Sequence, residues 1–401
     1  MKTRNLAILA AVTAAVVIVA GAAAVWRESA TRREVTEAEL FPGLIERIND
    51  VAAIEVTAGA ETFRIARAGE QWVVPAKADF PARFDKVREI LIAIGELKTI
   101  EAKTADPERH ADLGLAEPAA DKEGAGKRVR LLGADDAEIA ALVIGETTRG
   151  TGDMVYVRRA GDDQAWLARP AIDPGAKAMD WIDTLVVQLP FERIRGGVIR
   201  HADGEVVEFA KDGADATEFE LAGLPEGAKV VSALTVDSLA RAIAVLRFDD
   251  LAAREAAPVA GAADAVASYR TFEGMTVEVE VWADDADDAG GDPEAARSYW
   301  VRIAAAYDPA AAAEDAPDEE AEEAEPEDDE PFDPAAAAER ISARTARWVF
   351  KVPEFKGEQF TMRLDELIEM PAPEPAAPEG EGEAGEQGIA PPEGASEPAA
   401  E

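Results

Sequence analysis

Twice in this 401-residue chain, two short alternating segments, a third apolar segment and an amphipathic stretch follow one another in the same order. Ile54-Glu55-Val56 and Phe63-Arg64-Ile65 alternate apolar with polar around Gly59, the pattern of an antiparallel hairpin with one buried face. Trp72-Val73-Val74 reads as a third strand. Pro81 then opens a predicted helix with Phe84, Val87, Leu91 and Ile94 on one face. The second copy starts at Val198–Arg200, turns at Asp203-Gly204 and returns through Val207-Glu208-Phe209, with Phe219 in the place of Trp72. Its helix carries Val236, Leu239, Ile243 and Leu246 at the same spacing, with Thr235 as the expected N-cap.

Further strands are expected after each helix. In the first copy they are Val129–Leu132, Glu138–Ile144, Met154–Arg158 and Gln164–Ala168; in the second, Tyr269–Phe272, Thr276–Trp282, Tyr299–Ala304 and Trp348–Val352. The expected fold class is therefore α+β: two tandem related modules of antiparallel sheet plus helix, at residues 45–192 and 193–370.

A different kind of segment precedes them. Residues 6–25 contain no charge, and about 20 apolar residues at 1.5 Å rise are what a bilayer-spanning helix requires. Lys2 and Arg4 precede the run and Trp26 closes it at headgroup depth, so we expect a cytoplasmic N-terminus at 1–5 and a transmembrane anchor at 6–26. A juxtamembrane linker is expected at 27–44. Ala22 and Ala24 offer an A-x-A-like cleavage site, but the run exceeds the usual length of a cleaved signal core. The expected location is the inner membrane, single-pass, with the main body periplasmic or otherwise extracytoplasmic.

Composition narrows the function. The chain has 81 acidic and 41 basic residues, a net charge of −40, and no cysteine. Disulfides and thiolate metal sites are excluded, and a nucleic-acid partner is not expected because phosphate binding needs a basic surface. Much of the excess charge lies in 284–292, in 308–333 and in 371–401, which read as two acidic disordered inserts and a disordered tail.

The segment Asp106-Pro107-Glu108-Arg109-His110-Ala111-Asp112-Leu113-Gly114-Leu115, closing at Pro118, resembles the "DP…YGL…P" signature of the domain of unknown function 4340 family. Leu142-Val143-Ile144-Gly145, Val155-Tyr156-Val157-Arg158 and Asp180–Phe191 fit the same pattern, whereas Asp112 stands where the family usually has an aromatic. The resemblance implies a bacterial, amino-terminally anchored, extracytoplasmic protein, similar to auxiliary components of gliding-motility-type ABC transport systems. It carries no catalytic or cofactor residues. In the residues themselves, Leu113-Gly114-Leu115 reads as a tight turn anchored by its leucines.

No reactive constellation is evident. His110 and His201 are expected to be exposed loop residues, since neither has a nucleophile motif beside it. Gly380, Gly382 and Gly385 match G-x-G-x-x-G but lack the strand–turn–helix setting of a dinucleotide site. Asp284, Asp285, Asp287 and Asp288 lack an EF-hand's Gly and Glu. Six tryptophans (Trp72, Trp166, Trp181, Trp282, Trp300 and Trp348) are expected to pack in cores. The expectation is a non-enzymatic accessory or scaffold protein, with no catalytic, cofactor or metal residues and no cofactor. Its partners would be the inner membrane and a membrane protein such as an ABC permease. The alternatives are a carboxylate-dependent envelope hydrolase and a cation-buffering acidic surface protein.

Overall fold

The computed structural model describes residues 37–148, 153–284, 297–314 and 332–370. The expected anchor at 6–26, the signature glycines at 380–385, most of the two inserts and the tail lie outside the described residues. Among the described residues, no helix is long and apolar enough to cross a membrane.

The protein is mixed α+β, with mostly antiparallel sheets and few helices. In the first half the strands are β1 (Ala53–Ala58), β2 (Glu61–Ala68), β3 (Gln71–Val74), β4 (Lys98–Ala102), β5 (Lys127–Leu132), β6 (Glu138–Thr147), β7 (Val155–Arg159) and β8 (Ala165–Arg169). Helix α1 (Phe84–Gly95) lies between β3 and β4. In the second half they are β9 (Ile194–His201), β10 (Val206–Ala210), β11 (Glu220–Leu221), β12 (Asp250–Ala253), β13 (Ala265–Thr271), β14 (Met275–Asp284), β15 (Ser298–Tyr307) and β16 (Trp348–Val352). Helix α2 (Ala233–Ala244) lies between β11 and β12, α3 (Pro334–Thr345) precedes β16, and α4 (Glu354–Phe360) follows it.

The first sheet runs β4-β8-β7-β6-β5-β1-β2-β3, extended by Ala38–Glu39 beside β4 and Phe80–Pro81 beside β3. The second runs β12-β16-β15-β14-β13-β9-β10-β11. Strand for strand, the two orders coincide. Gly59 and Gly204 adopt positive φ at the two hairpin turns, a backbone conformation that costs glycine little.

The five buried positions of α1 recur in α2, which also buries Asp237 and Ala242. Val87, Ile90, Leu91, Ile94 and Gly95 of α1 correspond by offset to Val236, Leu239, Ala240, Ile243 and Ala244 of α2. This corrects the register read from the sequence. Phe84 opens α1 and is 63% exposed, Pro81 belongs to a strand, and Leu246 lies in the short strand Val245–Arg247. The N-cap position of α2 is Ser232, and Thr235 sits inside the first turn. A run spaced +3 and +7 fits two neighbouring helix faces, and the buried Ile90 shows which one faces the sheet.

The body also starts earlier than expected. Ala38–Glu39 pairs with β4, and Leu40 and Leu44 are buried, so the linker ends before residue 38. Within the stretch read as a disordered insert, Pro309–Glu314 is a short helix. Helix α3 begins at the end of that stretch, with the Asp333 side chain accepting from the Ala336 amide at 3.0 Å and proline in the first turn. Its Ser342 hydroxyl donates to the Ala305 carbonyl at 2.6 Å and accepts from the Ala305 amide at 3.3 Å. The helix thereby satisfies the Ala305 backbone in the part of β15 that β16 does not pair.

One hydrophobic core runs through both halves. Phe80, fully buried at the edge of the first sheet, enters an aromatic group of the second half, with ring centroids 4.8 Å from Trp348, 5.6 Å from Phe248 and 6.2 Å from Phe350. Two consecutive left-handed residues, Ala78 (φ 51) and Asp79 (φ 56), aim it there, at a strain of roughly 1–3 kcal/mol each. Trp348 donates its indole N–H to the Ala78 carbonyl at 3.0 Å, and Lys77 pairs with Asp250 at 2.6 Å. These contacts hold the strained turn in place.

Candidate functional site: the groove between the two sheets

The signature segment does structural work on the outer face of the first sheet. Asp106 accepts from the Glu108 amide at 3.0 Å and starts one 3-10 turn, and a second ends at Gly114 with φ +67. Leu115 packs on Val143 and Ala165, forming a small core separate from the main one. An added side-chain carbon at Gly145 would meet the Leu113 carbonyl at 2.3 Å, so the loop sits directly on the backbone of β6. Arg158 on β7, nearly fully buried, donates Nε–H to the Leu115 carbonyl at 3.0 Å and pairs with Glu117. Arg128 on β5 pairs with the other Glu117 oxygen.

Burial alone would raise the Glu117 carboxyl, but hydrogen bonds and charge from Arg158 and Arg128 outweigh it and hold the group below its usual 4.5. A carboxyl lowered in the folded state stabilises fully above its unfolded value and loses that contribution as pH falls through the folded one. The stability difference between the wild type and Glu117→Gln is therefore expected to shrink from pH 6 towards about pH 3. Urea melts of both proteins at each pH check this; a difference that holds constant or grows on acidification would contradict it.

The groove itself lies where the halves meet. The 3-10 turn Ala178–Trp181 supplies Met179 and Asp180, the strand after α2 supplies Val245 and Arg247 with Phe248 following it, and α4 supplies Phe355 and Lys356. Thr184, Asp249 and Pro353 complete a cavity of about 630 Å3 with a mainly apolar lining. Its rim exposes large apolar groups: Phe355 is 58% and Val245 47% accessible.

Each wall is fixed from behind. Trp181 is fully buried and donates its indole N–H to the Pro174 carbonyl at 2.8 Å, while its own carbonyl accepts from the Arg83 amide at 2.8 Å. Lys356 donates to the Arg241 and Ala242 carbonyls at 2.9 and 3.0 Å, capping the last turn of α2. Burial pulls its ammonium below the usual lysine range.

The remaining expected positions are dispersed. His110 and His201 were expected in the open; they are 4% and 7% exposed instead. His110 Nε2 donates to the Asp163 carbonyl at 2.8 Å and His201 Nε2 to the Met362 carbonyl at 3.3 Å, so each ties a turn to a neighbouring segment. Trp72, Trp181, Trp300 and Trp348 are buried, whereas Trp166 and Trp282 are only partly so. Among the described residues, no group of three or more His, Cys, Asp or Glu is placed to hold a metal ion. The groove residues left no motif in the sequence, because they come from three distant segments and are ordinary in each.

The fold and groove define a mixed α+β protein whose two large antiparallel sheets share one core. The family described as Domain of unknown function (DUF4340) matches residues 72–267, and that stretch of the chain belongs to it. The match runs from β3 through the signature loop into β13, across the junction of the two sheets. No curated protein and no solved structure matches the chain.

Proposed function

We propose that this chain is a non-enzymatic, membrane-anchored extracytoplasmic accessory protein whose groove receives an apolar segment of a membrane partner such as an ABC permease. The observation that carries the reading is the fixed groove between the sheets with Phe355 and Val245 exposed on its rim. The uncharged run at 6–25 supports anchoring at the inner membrane with the body outside the cytoplasm. The coincident strand orders and helix positions support tandem duplication of one module. In this reading the shared core makes the two copies one rigid platform, and the groove arises only because both are present.

Affinity purification of the full chain in mild detergent tests it. The wild type is expected to bring down a permease and its ATPase. The double variant Phe355→Ser, Val245→Ser should recover them at least about tenfold less, since rim groups of this kind carry much of an interface's energy. Both side chains are exposed, so folding should be unaffected. Recovery of no membrane partner, or undiminished recovery by the variant, would overturn the proposal.

A further inference from the structure

On the far side of the second sheet lies a smaller cavity of about 280 Å3. Its floor is the outer face of β14 and β15, with Glu278, Glu280, Arg302 and Ala304. Ser342, Thr345 and Ala346 at the last turn of α3 make one wall, and Arg254 closes another. On the first sheet the corresponding face is covered by the 103–126 connection; here the connection 254–264 is under half as long.

Two charged groups of the cavity are already paired, because Arg302 bonds Glu280 across the strands and lies 5.4 Å from the Trp282 ring centroid. Ser342 is committed to Ala305, and Thr345 donates to the Ile341 carbonyl at 2.9 Å. The Arg254 guanidinium and the Glu278 carboxylate have no hydrogen-bond or ion-pair partner among the described residues.

We infer that this cavity binds a small zwitterion, an α-amino acid or a short peptide, with its carboxylate on Arg254 and its ammonium on Glu278. Charge balance selects that class. A simple anion would satisfy Arg254 but face Glu278, and a simple cation would do the reverse. The C-terminal end of α3 adds partial negative charge on the same wall, which favours an ammonium. The volume falls below the roughly 300–1,000 Å3 typical of drug-sized ligands, which sets the size class. The site is separate from the groove, and either can fail without the other.

Calorimetric titration of the full chain in detergent tests the inference. The ligands are L-alanine, L-glutamine, dialanine and trialanine, with alanine methyl ester and N-acetylalanine as cation-only and anion-only controls. We expect saturable binding of at least one zwitterion and at least about tenfold weaker binding of both controls. Single amino acids binding more tightly than peptides, or the reverse, identifies the source. Arg254→Gln and Glu278→Gln, both at exposed positions, should each weaken binding about tenfold or more. No zwitterion binding up to about 10 mM, equal binding of the controls, or unchanged affinity in both variants would overturn the assignment.

Discussion

Replacing Phe80 by alanine is expected to lower the unfolding free energy by about 3–5 kcal/mol, the range for deleting a buried aromatic. The ring is fully buried and meets three aromatic rings of the second half, Trp348 and Phe350 on β16 and Phe248 just before β12. Edge-on contacts of this kind add about 0.5–1.5 kcal/mol per pair beyond area burial, which places the expected loss in the upper part of that range. The left-handed pair Ala78 and Asp79 would also lose what holds it, because the Trp348–Ala78 hydrogen bond depends on the same packing. Denaturant melts measure the change. A loss under about 1 kcal/mol would mean that the junction is not a packed core.

The second large effect is expected at Gly357 in α4. A side-chain carbon there would lie 1.9 Å from Cγ of Tyr299 and 2.2 Å from Cδ2, well inside contact distance. Tyr299 is buried and its ring is confined, so Gly357→Ala should destabilise by about 3 kcal/mol. Alanine would gain up to about 1 kcal/mol of helix propensity, too little to offset the clash. Gly213→Ala is the control: nothing lies within 4 Å of that position, and its effect should be near zero. Equal melts for the two variants would refute the close packing of α4 on β15.

Much of the fold was legible in the sequence. Alternation located the hairpins β1–β2 and β9–β10, and β16 has the bounds read from Trp348–Val352. In the two hairpins the apolar–polar alternation has a period of two that survives without tertiary information, whereas Trp348-Val349-Phe350 of β16 is a continuous apolar run buried on both faces. Helix registers were less legible, because Phe84 looks like a core residue and only the position of the sheet decides that it faces out. Residues 309–314 were read as disordered from their charged neighbourhood, yet five of the six are proline or alanine, compatible with a helical turn.

The sites were least legible. The buried histidines looked exposed because turns usually are, and nothing local signals that a ring reaches a carbonyl such as Asp163 or Met362. Arg158 belongs to the recognised Val155–Arg158 stretch, but its partner Glu117 follows a different motif and meets it only where that loop packs on the sheet. The groove draws on residues 179–184, 245–249 and 353–356, which are brought together by the shared core. A sequence pattern can announce a strand, but not three segments meeting in space.

Sidedness is the point on which the functional account turns. Spheroplasts of cells expressing the full chain should retain it in the inner-membrane fraction, and external protease should digest its body while a cytosolic marker stays intact. Recovery of the uncut chain from the soluble cytosol, protected until lysis, would contradict the tethered accessory and leave the groove without a membrane partner.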